Sequence, residues 1–124
     1  MELINSDSAP TAVGPYSHAS VDAQGNIYVS GCLPMKADGS LVEGSIAQKT
    51  DAALSNLESV LKMAGSDKSK VLKTTIFLVD LGQFAEVNEA YADFFAGHKP
   101  ARSCVQVSAL PKGVDIEIEA IAQA

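Results

Sequence analysis

The 124-residue chain is predicted to form an α+β layer, one β-sheet with two helices packed against a single face. Three observations predict it. Two stretches, 46–64 and 81–96, repeat apolar residues at helical spacing. Between them, 71–80 is a run rich in β-branched residues, the composition of a strand. Shorter alternating strands lie on either side, so the order reads strand, helix, strand, helix, strand, strand. One domain over 1–124 accommodates this, and a chain of this length buries about two-thirds of its unfolded surface, enough for a core without staples.

Taken in order, VDAQGNIYVSG (21–31) reads as two strands around a turn at Gln24-Gly25-Asn26. Asp38-Gly39 marks another turn before a short extended piece. The first helix runs from about Ile46 to Ala64, because Ser45 and Gln48 have capping-box spacing and Gly65 supplies a left-handed stop. Its apolar stripe is Ile46, Ala53, Leu54, Leu57, Leu61 and Ala64. The strand VLKTTIFLVD (71–80) is expected to be central and buried on both faces. A second helix, Leu81 to Ala96, has Asp80 as its cap, Phe84, Val87, Tyr91, Phe94 and Phe95 as its stripe, and Gly97 as its stop. RSCVQVSA (102–109) and VDIEIEAIA (114–122) are the last strands, and read locally they close a hairpin around Pro111. Right-handed crossovers place both helices on the same side.

Composition narrows the function. Apolar residues make up 47% and charged residues 19%, a globular balance, and 15 acidic against 9 basic residues leave a formal charge of −6. That charge gives no long-range attraction for phosphate backbones or anionic lipid, so nucleic acid is an unlikely partner and a membrane is not expected. Cys32 and Cys104 form no disulfide framework and no zinc-type pair; they read as small buried apolar groups. The N-terminus lacks signal or transit features, and no apolar run approaches the roughly 20 residues that span a bilayer. The expected setting is a reducing intracellular compartment, the cytoplasm or alternatively the mitochondrial matrix.

Arg102 opens its strand without an acidic neighbour. By alternation Ser103, Val105 and Val107 share one face and Arg102, Cys104, Gln106 and Ser108 the other; Ile116, Ile118 and Ala120 oppose Asp115, Glu117, Glu119 and Ile121. The more apolar faces are expected beneath the helices, with Arg102, Cys104, Glu117 and Glu119 projecting away from them. Whichever face of 71–80 turns outward carries apolar residues, which marks an interface and predicts a closed homo-oligomer with clefts shared between copies. The pattern alone leaves open that Arg102 pairs with Glu119 or Asp115 as a structural ion pair, and that EIE is a solvated strand face.

Several segments carry more than their pattern: GPYSHA (14–19), VSGCLP (29–34), KTTIFLVDL (73–81), FAEVNEAYADFF (84–95) and KPARSCVQVSALPKGVDIEIEAIA (99–122). In order and over nearly the whole chain, they closely resemble the RidA/YjgF/YER057c/UK114 family of reactive-intermediate (enamine/imine) deaminases. The resemblance implies a chorismate-mutase-like mixed sheet with two helices on one face, the last strand inserted between the earlier two. It also implies a homotrimer whose sheets line a central barrel, with sites in three interface clefts. By residue, Arg102 is similar to the family's carboxylate-binding arginine and Glu117 to the residue that positions the hydrolytic water. Cys104 resembles the site-lining cysteine, Tyr16 the site tyrosine, Ser30 and Gly31 the substrate loop, and Asn88 a site-region asparagine. Cys32 departs from the glutamine of many members, at the expected pocket mouth.

The implied reaction is hydrolysis of 2-iminobutanoate and 2-iminopropanoate, released by pyridoxal-phosphate enzymes, to 2-oxo acids and ammonia. It needs no metal or organic cofactor, because an iminium carbon is already electrophilic. Arginine suits the substrate carboxylate because its planar fork makes two parallel charge-assisted hydrogen bonds, where lysine supplies charge without orientation. A nucleophilic Cys104 is disfavoured, since neither His18 nor His98 sits in a pairing motif with it. Two alternatives stand beside the hydrolase: a non-catalytic trimer that binds small metabolites or acts like a chaperone, and an endoribonuclease or translation inhibitor. Having both Arg102 and Glu117 favours hydrolysis over mere binding, and the acidic balance weighs against the nuclease.

Overall fold

A computed structural model covering residues 1–124 arranges eight principal elements: β1 (Glu2–Ile4), β2 (Ala19–Val21), β3 (Asn26–Cys32), α1 (Ile46–Met63), β4 (Val71–Leu78), α2 (Phe84–Phe95), β5 (Ala101–Gln106) and β6 (Ile116–Gln123). The strands make one sheet in the order β1-β2-β3-β6-β4-β5. Only β4 and β5 run parallel; every other pair is antiparallel. The mixed α+β sheet with its two helices is therefore the predicted architecture. No helix is long and apolar enough to cross a membrane.

Local chemistry sets most boundaries where expected. The Ser45 hydroxyl accepts from the Gln48 N–H at 3.2 Å, and the Gln48 side chain accepts from the Ser45 N–H at 2.9 Å, completing the capping box of α1. The second helix differs at both ends. Asp80 caps a single 3₁₀ turn, Leu81–Gln83, so α2 itself begins at Phe84. Its left-handed terminal residue is Ala96 (φ 51°), one position before the expected glycine. The short β1 has too few residues for periodicity to reveal, and it forms by pairing with β2.

Leu54, Leu57 and Leu61 of α1 and Val87, Tyr91 and Phe95 of α2 pack on Ile76, Leu78, Ile116 and Ile118 in one continuous core. Along β4, Thr74, Ile76 and Leu78 are buried beneath the helices, while Lys73, Thr75 and Phe77 are only half-buried on the other face. The expectation that this strand is buried on both sides is thus corrected: within one chain its outer face lacks a covering layer.

Two further expectations change. No hairpin closes around Pro111. Instead β6 is inserted between β3 and β4, the neighbours that the family resemblance implies. The face assigned to β5 is also reversed. Arg102 pairs with Thr74 and Cys104 with Ile76, so both side chains share the helix-covered face, and Ser103 and Val105 turn outward. An edge strand takes its parity from the register of its one neighbour, and the crossover through α2 sets that register; alternation inside β5 cannot reveal it. The β6 faces are as expected, with Ile116, Ile118 and Ala120 inward and Glu117 and Glu119 outward.

Candidate active site

Arg102 and Glu117 stand on opposite faces of the sheet, and β4 lies between their strands. Two strand spacings add about 10 Å of lateral separation. One chain therefore holds the expected residues in two separate clusters.

The first cluster forms where β5 meets α2. Phe84, Asn88 and Tyr91 lie at i, i+4 and i+7 and share one helical face. Arg102 Nη1 donates to Asn88 Oδ1 at 2.7 Å. The guanidinium carbon sits 5.4 Å from the Phe84 ring centroid and 5.0 Å from that of Tyr91, within cation–π range of both. Arg102 forms no ion pair; Asp115, one of its candidate partners, is held by Lys49 at 2.6 Å. Leu81, Phe84, Arg102 and Cys104 line an open cleft. Burial pushes the Cys104 thiol up, and the nearby Arg102 charge pulls it the other way without prevailing. A protonated thiol lining the cleft fits these surroundings better than a nucleophile does.

The second cluster lies at the end of β3. Val29 pairs with Ala120 and Cys32 with Ile118, so β3 spends one more residue than β6 over this interval, and a bulge at Ser30–Gly31 results. The Ser30 N–H donates to the His18 carbonyl at 2.9 Å and its hydroxyl to the Ser17 carbonyl at 2.7 Å, fixing the bulge to the preceding loop. Against it lies the Glu117 carboxyl. A Cβ built on Gly31 would fall 2.0 Å from Glu117 Oε2, so only glycine leaves the carboxyl its place. Burial raises the Glu117 pKa, and the like charge of Glu119 raises it further. Tyr16, exposed on the 13–16 loop, shares this cleft with Val13, Ser30, Gly31, Leu33, Pro111, Lys112 and Glu117.

The residues expected at the site thus fall into two sets: Arg102, Asn88 and Cys104 in one, Tyr16, Ser30, Gly31 and Glu117 in the other. Cys32 adjoins the second set, lining a small cavity with Tyr16, Ser30 and Gly31. Paired with Ile118, it packs against the core, and burial followed by the Glu117 charge pushes its thiol up to about 12. Phe84 and Tyr91 were legible only as an apolar stripe; their spacing from Asn88 was the available sign of a second role. Lys112 gave no sign, and its left-handed backbone (φ 59°) brings a cation to the rim of the Glu117 cleft.

Residues 6–124 match the family described as Endoribonuclease L-PSP. Protein HMF1 of Saccharomyces cerevisiae is 50% identical over 94% of this chain and 89% of its own length. The 2-iminobutanoate/2-iminopropanoate deaminase of Rattus norvegicus is 48% identical over 98% and 88%. The crystal structure of E. coli TdcF with bound serine superposes with a TM-score of 0.93 at 36% identity, covering 100% of this chain and 99% of that one. Fold, motifs and relatives agree, and the chain belongs to the Endoribonuclease L-PSP family, the RidA/YjgF group its sequence resembles.

Proposed function

We propose that the protein is a 2-iminobutanoate/2-iminopropanoate deaminase whose active sites form between copies of the chain, with Arg102 from one copy facing Glu117 from the next. The observation that carries this reading is the state of Arg102: a guanidinium cradled by two aromatic rings and a neutral amide, open to a cleft, with no carboxylate of its own chain. A carboxylate from outside is the partner such a fork accepts. The name of the rat relative and the serine bound in TdcF support a small 2-imino acid as its source.

Arg102 grips the substrate carboxylate with the N–H groups that Asn88 leaves free. The imine carbon then faces the Glu117 carboxylate of the adjoining copy. Glu117 orients a water and accepts its proton as the oxygen attacks, giving a carbinolamine. The carboxyl returns a proton to the nitrogen, and as the C–N bond breaks it takes the carbinol hydroxyl's proton while the C=O bond forms. The products are ammonia and a 2-oxo acid. No step needs a metal or organic cofactor. Placement supplies the acceleration, since the reacting carbon is electrophilic before it binds. Copies assemble through the open face of the sheet, closing as a homotrimer around a central barrel. Support comes from the apolar residues there: Leu3, Tyr28 and Val105 are 59%, 43% and 41% exposed in one chain, beside half-buried Phe77 and Ile121.

Threonine dehydratase coupled to 2-oxobutanoate release tests the reading. Arg102→Ala and Glu117→Ala are each expected to abolish acceleration. Mixed in equal amounts, unfolded and refolded together, they should regain about a quarter of wild-type activity, because a shared site needs an intact arginine from one copy and an intact glutamate from its neighbour. A mixture as inert as its components would show that the two residues do not cooperate between chains. Full activity in either variant would remove its residue from the reaction.

A further inference from the structure

Behind Arg102 lies a contact that the carboxylate grip does not itself explain. Thr74 is Arg102's register partner on β4, its side chain on the same face, and it is fully buried. A threonine hydroxyl at that depth needs a partner, and it has one: Thr74 Oγ1 lies 2.6 Å from the Tyr91 hydroxyl. Tyr91 is 7% exposed, and its ring is the nearer of the two that flank the guanidinium. A buried hydroxyl on β4 thereby fixes the rotation of an aromatic face on the helix, and that face carries the arginine of the edge strand.

We propose that Tyr91, latched to Thr74, is a positioning residue for Arg102, setting the plane in which the guanidinium meets the substrate carboxylate. This rests on the reading of Arg102 as the carboxylate clamp.

The arrangement suits that task in three ways. Arg102 starts from an edge strand that is otherwise poorly covered, so its long side chain has rotamer freedom to lose, and bidentate recognition depends on losing it before binding. Every group in the cradle is neutral. Burial pushes the Tyr91 phenol up, opposed by its Thr74 bond and by the Arg102 charge, so the ring stays protonated and offers a π-face rather than a competing anion. Asn88 takes one N–H in the same way, as an amide where a carboxylate would have occupied the fork. Phe84, 37% exposed, closes the outer side and also lines the cleft. The latch itself lies on the core side, out of the cleft, so its removal changes the aim of the guanidinium and not its charge.

The experiment compares Tyr91→Phe, Thr74→Val, Thr74→Ser and Arg102→Ala with the wild type. It reads kcat and KM in the coupled assay and the Kd of 2-oxobutanoate by calorimetry, with thermal melts as the control for folding. Tyr91→Phe and Thr74→Val should each raise KM and Kd about fivefold, the scale of one neutral hydrogen bond, with kcat within about twofold. Combined, they should do no worse than either alone, since both remove the same bond. Thr74→Ser keeps the hydroxyl but loses a methyl group, so positioning predicts a lower KM for Ser than for Val, whereas packing alone predicts the reverse. Unchanged KM and Kd in both latch variants, or a packing order at Thr74, would overturn the proposal while leaving Arg102 as the clamp. If Arg102→Ala binds 2-oxobutanoate as the wild type does, the clamp reading falls, and this inference with it.

Discussion

Gly31→Ala adds one carbon at the spot that the Glu117 carboxyl occupies. The new Cβ would lie 2.0 Å from Oε2, 2.6 Å from Cδ and 2.9 Å from Cγ, whereas real Cβ contacts essentially never fall below 3.0 Å. Clearing the oxygen alone needs 3.0 − 2.0 = 1.0 Å of movement. The obstructing atoms are the end of a flexible side chain, and Gly31 is outside the left-handed region, so the fold accommodates the change. Glycine-to-alanine at a compatible backbone position changes stability by about 1 kcal/mol or less. Catalysis should suffer more, because a displacement of about 1 Å can cost on the order of a hundredfold in rate. The expected result is a kcat for imine hydrolysis about a hundredfold lower, with a near-native melt and little change in the affinity for 2-oxobutanoate, which the proposed function assigns to Arg102. Should Gly31→Ala keep kcat within about threefold of wild type, the place of the Glu117 carboxyl over the bulge does not control the water, and the argument fails.

Other outcomes follow from the same geometry. Burial holds the Glu117 proton above the ordinary carboxylate pKa of about 4.3, so its base form is lost early on acidification. The rate should fall through that raised pKa, and a pH–rate profile of Glu117→Gln should be low and lack the limb. The same shift opposes folding once Glu117 ionises: its stabilising share is complete below the unfolded pKa and disappears as pH rises through the folded one. Glu117→Gln should therefore melt higher than wild type at neutral pH, with the advantage vanishing in acid. Asn88→Asp places a carboxylate within Arg102's reach and should raise KM about tenfold or more, read in the coupled assay. Native Cys32, its thiol pushed up to about 12, should resist a thiol reagent at pH 8 until the chain is unfolded. Leu57→Ala, at a fully buried site on α1 within the core, should cost about 2–5 kcal/mol by chemical denaturation.

Helices were the most legible part of this sequence because their signals are local. The Ser45–Gln48 box and the α1 stripe fix that element from within its own residues. Strand order was not legible that way. Nothing inside 116–123 says that it enters between β3 and β4, and only the family resemblance implied it. The β5 error has the same origin. Val105 looks like a core residue in sequence, yet it is 41% exposed, and Arg102 turns toward α2 because its parity comes from Thr74. The identity of the candidate site residues was legible from their motifs, while their division between two faces had to come from the structure. Cys32 and Cys104 illustrate the point: they end one inward row, Cys32–Ile118–Ile76–Cys104. Three strand spacings, about 14 Å, separate them, too far for a disulfide within the chain.

Insertion of β6 has a consequence for biosynthesis. Its eight residues, 116–123, are made after every other strand of the sheet, yet they form the seam joining the β1–β3 half to the β4–β5 half. Until they emerge, β3 and β4 each present an unpaired edge, the kind of surface that chaperones shield and that aggregation exploits. Trimming the C-terminus back to Val114 would leave two halves with no common strand, and Glu117 would be lost along with the fold that holds it.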